Sequence, residues 1–130
     1  MKRRRAFVSL ATAATVGWVF AACGGGGAGD NPPANCSPAD FDAGTPAVCP
    51  SWSTDVEPLI SEYCGACHTN GGAGQSSFNA SSYASIFAAS ATVSEQVSSC
   101  AMPEWDAAAQ PTQDERQTIV SWIACKAPNN

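Results

Sequence analysis

The sequence predicts a small all-α domain over residues 52–130, and three observations point to it. Two segments carry apolar residues at helical spacing, Val56/Leu59/Ile60/Tyr63 and Ile119/Trp122/Ile123. No stretch alternates apolar and polar residues as a half-buried strand does. The segment is also near the size at which an apolar core alone is marginal, so a covalent staple or a bound cofactor is expected to help hold it.

The first helix is expected from about Val56 to Cys64, with Asp55 as N-cap. Pro58 then falls in the first turn, where its missing N–H has no helical partner to lose. The second helix is expected from about Gln113 to Lys126. Thr112 and Glu115 form a T-x-x-E capping box, and Asp114 and Glu115 suit the positive end of the helix dipole. Lys126 lies in the last turn and Pro128 stops the helix. The chain between is rich in Gly, Ser and Ala; Tyr83, Ile86 and Phe87 at i, i+3, i+4 predict one short helix within it.

The first 51 residues have a different organisation. Lys2-Arg3-Arg4-Arg5 is a basic start, followed by an uncharged run from Ala6 to Ala22 that ends in Phe20-Ala21-Ala22-Cys23. That is the layout of an export signal over residues 1–22. The segment resembles the lipobox of bacterial lipoproteins, and the resemblance implies a lipid on Cys23, which becomes the new N-terminus. An uncleaved membrane anchor and simple cleaved secretion stand as alternatives, because the run is close to the roughly 18 residues that span a bilayer. All three leave the rest of the chain outside the cytoplasm, with the basic residues inside. Residues 23–51 read as a flexible Gly/Pro-rich tether: Gly24 to Gly27, then Pro32-Pro33, Ser37-Pro38 and Thr45-Pro46. As a coil it would reach roughly 30 Å.

Charge narrows the function. Beyond Arg5 the only basic residues are Arg116 and Lys126, against 11 Asp and Glu. So acidic a chain repels phosphate backbones, which excludes nucleic acid as a partner. A protein partner with a basic docking surface is the electrostatic expectation.

The chemistry is concentrated in Cys64-Gly65-Ala66-Cys67-His68. Two thiols three positions apart can add to the two vinyl groups of one heme, and the adjacent His is then held beneath the iron. A zinc site would want a second ligand pair at matching spacing, which the chain lacks. A redox C-x-x-C would be expected beside a βαβ pattern, also lacking. A structural disulfide would leave His68 without a role.

Asp55-Val56-Glu57-Pro58-Leu59-Ile60 leading into that motif, then Ala101-Met102-Pro103, then a C-terminal helix with Trp122-Ile123, resembles a small class I cytochrome c over roughly residues 52–128. The resemblance implies one covalent heme c on Cys64 and Cys67, with His68 as proximal ligand and Met102 as distal ligand. It also implies that the first and last helices cross beside the heme. The inventory agrees. A chain starting at Cys23 holds one His and one Met, and Met102 sits before a Pro with Glu104 and Asp106 close by, unlike a core position.

With both axial positions filled by protein, no site is left for substrate, and the expected function is a single-electron carrier rather than an enzyme. Glu57 and Glu62 read as a solvated helix face. Two alternatives remain: a heme-based ligand sensor or small heme enzyme in which Met102 is displaced, and a fixed electron-transfer subunit of a larger oxidoreductase. Seven Cys, less one for lipid and two for heme, leave Cys36, Cys49, Cys100 and Cys125, which allow three pairings. Cys100–Cys125, tying the Met102 segment to the last helix, and Cys36–Cys49 within the tether are the expected pair.

Overall fold

The computed structural model describes residues 33–42 and 44–130. The export signal and Cys23 lie outside the described residues. Among these there are four α-helices and no strand: α1 (Glu57–His68), α2 (Tyr83–Ala88), α3 (Ser90–Ser98) and α4 (Gln113–Ala124). The all-α expectation holds.

Helix α1 grows out of a wide helical turn over Trp52–Val56, and its boundaries differ from expectation at both ends. Asp55 does not cap α1; its carboxylate accepts the Ser51 N–H at 2.7 Å, closing the preceding turn. At the other end the helix runs through Gly65 to His68, and Thr69 leaves it by donating its hydroxyl to the Gly65 carbonyl at 2.8 Å. The helix therefore carries the whole Cys64–His68 motif.

Helix α4 begins as expected. The Thr112 N–H donates to the Glu115 carboxylate at 2.7 Å, and the Glu115 N–H donates to the Thr112 hydroxyl at 3.3 Å. The hydrogen bonds that the Thr112 N–H and hydroxyl donate to it hold the Glu115 carboxyl below its ordinary range. It ends two residues early because Lys126 and Ala127 take positive φ, 71° and 47°. The Lys126 N–H returns to the Ile123 carbonyl and the Ala127 N–H to that of Trp122, satisfying groups the helix leaves open.

Helix α2 forms where Tyr83, Ile86 and Phe87 predict it, with Ser82 as N-cap. Helix α3 has no counterpart in the expectations. Its apolar residues are sparse, and Val93 and Val97, one turn apart, are the two it buries. Those two valines face α4, the element α3 approaches most closely.

The core joins Trp52, Val56 and Ile60 to Ile86, Val93, Val97, Ile119, Val120 and Trp122. Trp52 and Trp122 lie 5.2 Å apart, with Tyr83 edge-on to both. The polar tips are satisfied: the Trp122 indole donates to the Pro128 carbonyl at 2.9 Å and the Tyr83 hydroxyl to that of Ala127 at 2.7 Å. The first and last helical segments thus meet through the Trp52–Val56 turn. Farther along α1, the Tyr63 hydroxyl donates to the Glu115 carboxylate at 3.1 Å.

The disulfides correct the expected pairing. For the four cysteines concerned the bonds are Cys36–Cys100 and Cys49–Cys125, with Cα separations of 6.0 and 5.9 Å, rather than Cys36–Cys49 and Cys100–Cys125. The cause lies in two glutamines one turn apart on α4. Gln113 accepts the Ser37 N–H at 3.0 Å and donates to the Ser37 carbonyl at 3.3 Å. Gln117 does the same for Asp42, at 2.9 and 3.0 Å. The segment is thereby laid along α4, with Cys36 beside the end of α3 and Cys49 beside the end of α4. From Cys36 onward the chain lies as a strap on the domain.

Candidate functional site

The site is built on the last turns of α1. Cys64 and Cys67 stand three residues apart and so share a helix face, with His68 as the final helical residue. The His68 ring is fixed on two sides. Its Nδ1 lies 2.8 Å from the Gly74 carbonyl, which can only accept, so Nδ1 carries the proton and Nε2 keeps its lone pair. The ring also stacks on Phe78, centroids 4.2 Å apart and nearly parallel.

The loop after α1 wraps back to do this. The Gly74 N–H donates to the Cys67 carbonyl at 2.8 Å, and the Ala80 N–H to the His68 carbonyl at 2.6 Å. The approach at Gly74 leaves no room for a side chain, since a Cβ there would lie 2.5 Å from the imidazole Cε1. Gly74→Ala is therefore expected to push the ring off its acceptor. The His68 Nδ1 proton should then exchange with solvent about tenfold faster, the scale of one lost hydrogen bond. Proton NMR of the imidazole checks it.

Cys64 is half-buried, and burial pushes its thiol up to about 11, with the Arg116 guanidinium pulling partly the other way. At neutral pH it is a thiol, not a thiolate. Cys67 is disulfide-bonded.

Met102 follows α3 on an irregular segment with a cis peptide to Pro103. Its N–H donates to the Gln96 carbonyl at 3.0 Å. Its own carbonyl accepts from Arg116 Nη1 at 2.6 Å. Arg116 is also the charged neighbour of Cys64, so one α4 side chain links the motif to the Met102 segment. Cys23, by contrast, lies outside the described residues, and the other four cysteines form the two structural disulfides.

Arg116, Gly74 and Phe78 were not among the sequence-predicted site residues. Arg116 had a signal: it falls at i−3 and i−4 from Ile119 and Val120, on the apolar stripe, where a solvated Arg does not belong. Gly74 and Phe78 had none, because their role depends on how the loop turns back.

The residues fit a heme. The imidazole is held in the tautomer that offers Nε2 as a ligand, and two sulfurs flank it on one helix face. Among the described residues no three His, Cys, Asp or Glu side chains converge to hold a bare metal ion, so a zinc cluster is not the competing reading there.

Comparison with known proteins agrees. Residues 53–123 match the family model described as cytochrome C oxidase, cbb3-type, subunit III. No curated protein and no solved structure matches the chain. The matched segment covers more than half of the sequence and contains Cys64, Cys67, His68 and Met102 alike. The chain belongs to this family of cytochrome c domains, which hold heme c covalently and serve in electron transfer.

Proposed function

We propose that the protein is a monohaem c-type cytochrome that carries single electrons and is tethered by a lipid on Cys23 at the periplasmic side of a membrane. Cys64 and Cys67 hold the heme, and His68 and Met102 are its axial ligands. The bound group supplies one reversible electron at its iron. The Gly74 carbonyl orients the His68 ring, which would hold that iron through Nε2, and this hydrogen bond is the observation that carries the reading. The Nδ1–H bond fixes the ring and raises the basicity of Nε2.

Met102 supplies a soft thioether that favours ferrous iron. With both axial positions filled, no open coordination site is left for a substrate, so the protein acts as a carrier and not an enzyme. The visible spectrum of the reduced protein with and without CO tests this. A low-spin spectrum unmoved by CO is expected; CO binding would favour a ligand sensor or a small heme enzyme.

Membrane attachment rests on the sequence before residue 33. The lipid is proposed from the apolar run ending in Phe20-Ala21-Ala22-Cys23; among the described residues no helix is long and apolar enough to cross a membrane. Mass spectrometry of the mature N-terminus should find an acylated Cys23; an unmodified upstream sequence would exclude it.

The partner is a redox protein with a basic docking surface. Between residues 33 and 130 there are two basic side chains, and Arg116 is fully buried. Lys126 is then the single exposed cation of that region, facing a predominance of carboxylates. Electron-transfer rates with such a partner should fall about tenfold from low to physiological salt, as steering is screened. Stopped-flow rates against ionic strength check this, and a flat profile would exclude steering.

A further inference from the structure

Arg116 is an unusual residue to find fully buried. It projects from α4 beside Ile119 and Val120 with none of its surface exposed. Its hydrogen-bond partners are neutral: Nη1 donates to the Met102 carbonyl at 2.6 Å and Nη2 to Gln110 Oε1 at 3.0 Å, while Nε has no partner. Among the described residues no carboxylate pairs with it. A buried guanidinium without a counter-charge is costly, and an apolar side chain would fill the stripe at less expense of free energy.

What the guanidinium accomplishes is local. One arm holds the Met102 peptide. The other holds Gln110, whose amide donates to the Glu104 carbonyl at 2.5 Å. The two arms therefore grip both ends of the Met102-Pro103-Glu104 turn from a single rigid fork. The turn has no regular element to stiffen it.

We propose that Arg116 is the positioning residue of the distal ligand: it fixes the Met102 turn so that the thioether stays on the iron, and its unneutralised charge raises the reduction potential. The inference rests on reading Met102 as the ligand. A thioether is a weak ligand, so the time it spends on the iron depends on how firmly its backbone is held. Held on the carbonyl of the proposed ligand residue itself, a positive charge would disfavour the extra positive charge of the ferric state.

The test uses the full heme-loaded protein and compares Arg116→Met, Arg116→Lys and Ile119→Val. Three quantities are read: the thioether-to-iron charge-transfer band of the oxidised protein, the affinity for imidazole as a competitor of Met102, and the midpoint potential. Arg116→Met should bind imidazole about tenfold more tightly, the worth of one lost charge-assisted hydrogen bond, and have a lower potential. Arg116→Lys should recover the potential but not the imidazole resistance, because it keeps the charge and loses the fork. Ile119→Val should lower thermal stability and leave imidazole affinity unchanged.

If Arg116→Met matches the wild type in imidazole affinity and potential, Arg116 is a packing residue and the proposal is overturned. Should that variant fail to load heme, Gln110→Leu cuts the hold on Glu104 alone. It should still tighten imidazole binding several-fold, and an unchanged affinity there overturns the proposal too. A wild type lacking the charge-transfer band would overturn the Met102 reading itself, and the inference with it.

Discussion

Replacing Met102 by Ala is expected to abolish the low-spin oxidised spectrum and lower the midpoint potential on the order of 0.1 V, a modest part of the roughly 0.8 V range that axial ligands command. The chain has no second imidazole, and beyond Cys23 no second methionine, to take its place. His68 is the one histidine in the sequence, and the other Met is residue 1. Cys36, Cys49, Cys100 and Cys125 are tied up in disulfides. With Ala at position 102 the distal position falls to water or an added ligand, and CO should now bind the reduced protein. Arg116 makes the experiment clean, because it holds position 102 through the backbone carbonyl, which Ala retains. The turn should keep its shape while the ligand is deleted. A variant whose low-spin state and potential both survive would show that Met102 is not the ligand.

The parts of this molecule that local rules govern were legible in the sequence. Helix α4 was visible from its capping box and the Ile119/Trp122/Ile123 stripe; the structure has the box and buries Ile119 and Trp122, with Ile123 partly buried. The Cys64–His68 motif was visible as two cysteines three apart with a histidine beside them, and the structure carries it on one helix. Helix α3 was not, since Ser90–Ser98 buries two valines and has no capping side chain, and its helicity comes from packing on α4. The end of α4 was missed because Lys126 accepts a left-handed conformation that its side chain does not advertise. The tautomer of His68 depends on a carbonyl six residues away, delivered by a loop whose course has no periodic signal. Arg116 was set aside as one of few basic residues, although its register on the apolar stripe marks it as buried.

The strap shows the same limit and leads to the second large effect. Four cysteines permit three pairings, and reading residues 23–51 as a separate tether favoured a bond within it, from Cys36 to Cys49. What decided otherwise was the grip of Gln113 and Gln117 on the backbone of Ser37 and Asp42, side chains with no pattern that announces a partner 75 residues away. The observed bonds span 64 and 76 residues, so each removes far more freedom from the unfolded chain than a local bond would. Deleting either one, by Cys36→Ser with Cys100→Ser or by Cys49→Ser with Cys125→Ser, should cost about 4 kcal/mol on the chain-entropy account. Against a typical total of about 5–15 kcal/mol, that is a large fraction of the stability.

The two deletions should nevertheless differ in what they do to the site. Cys100 is buried, has a positive φ of 62° and stands two residues before Met102. Losing its bond frees the segment that leads into the ligand turn. Cys125 ends α4, where the Ile123 and Trp122 carbonyls already hold the following turn. Urea unfolding should therefore show similar losses for both variants, while tighter imidazole binding should appear in the Cys36/Cys100 variant alone. Equal imidazole affinities in the two would mean that the strap stabilises the domain as a whole and that Arg116, not the disulfide, sets the Met102 turn.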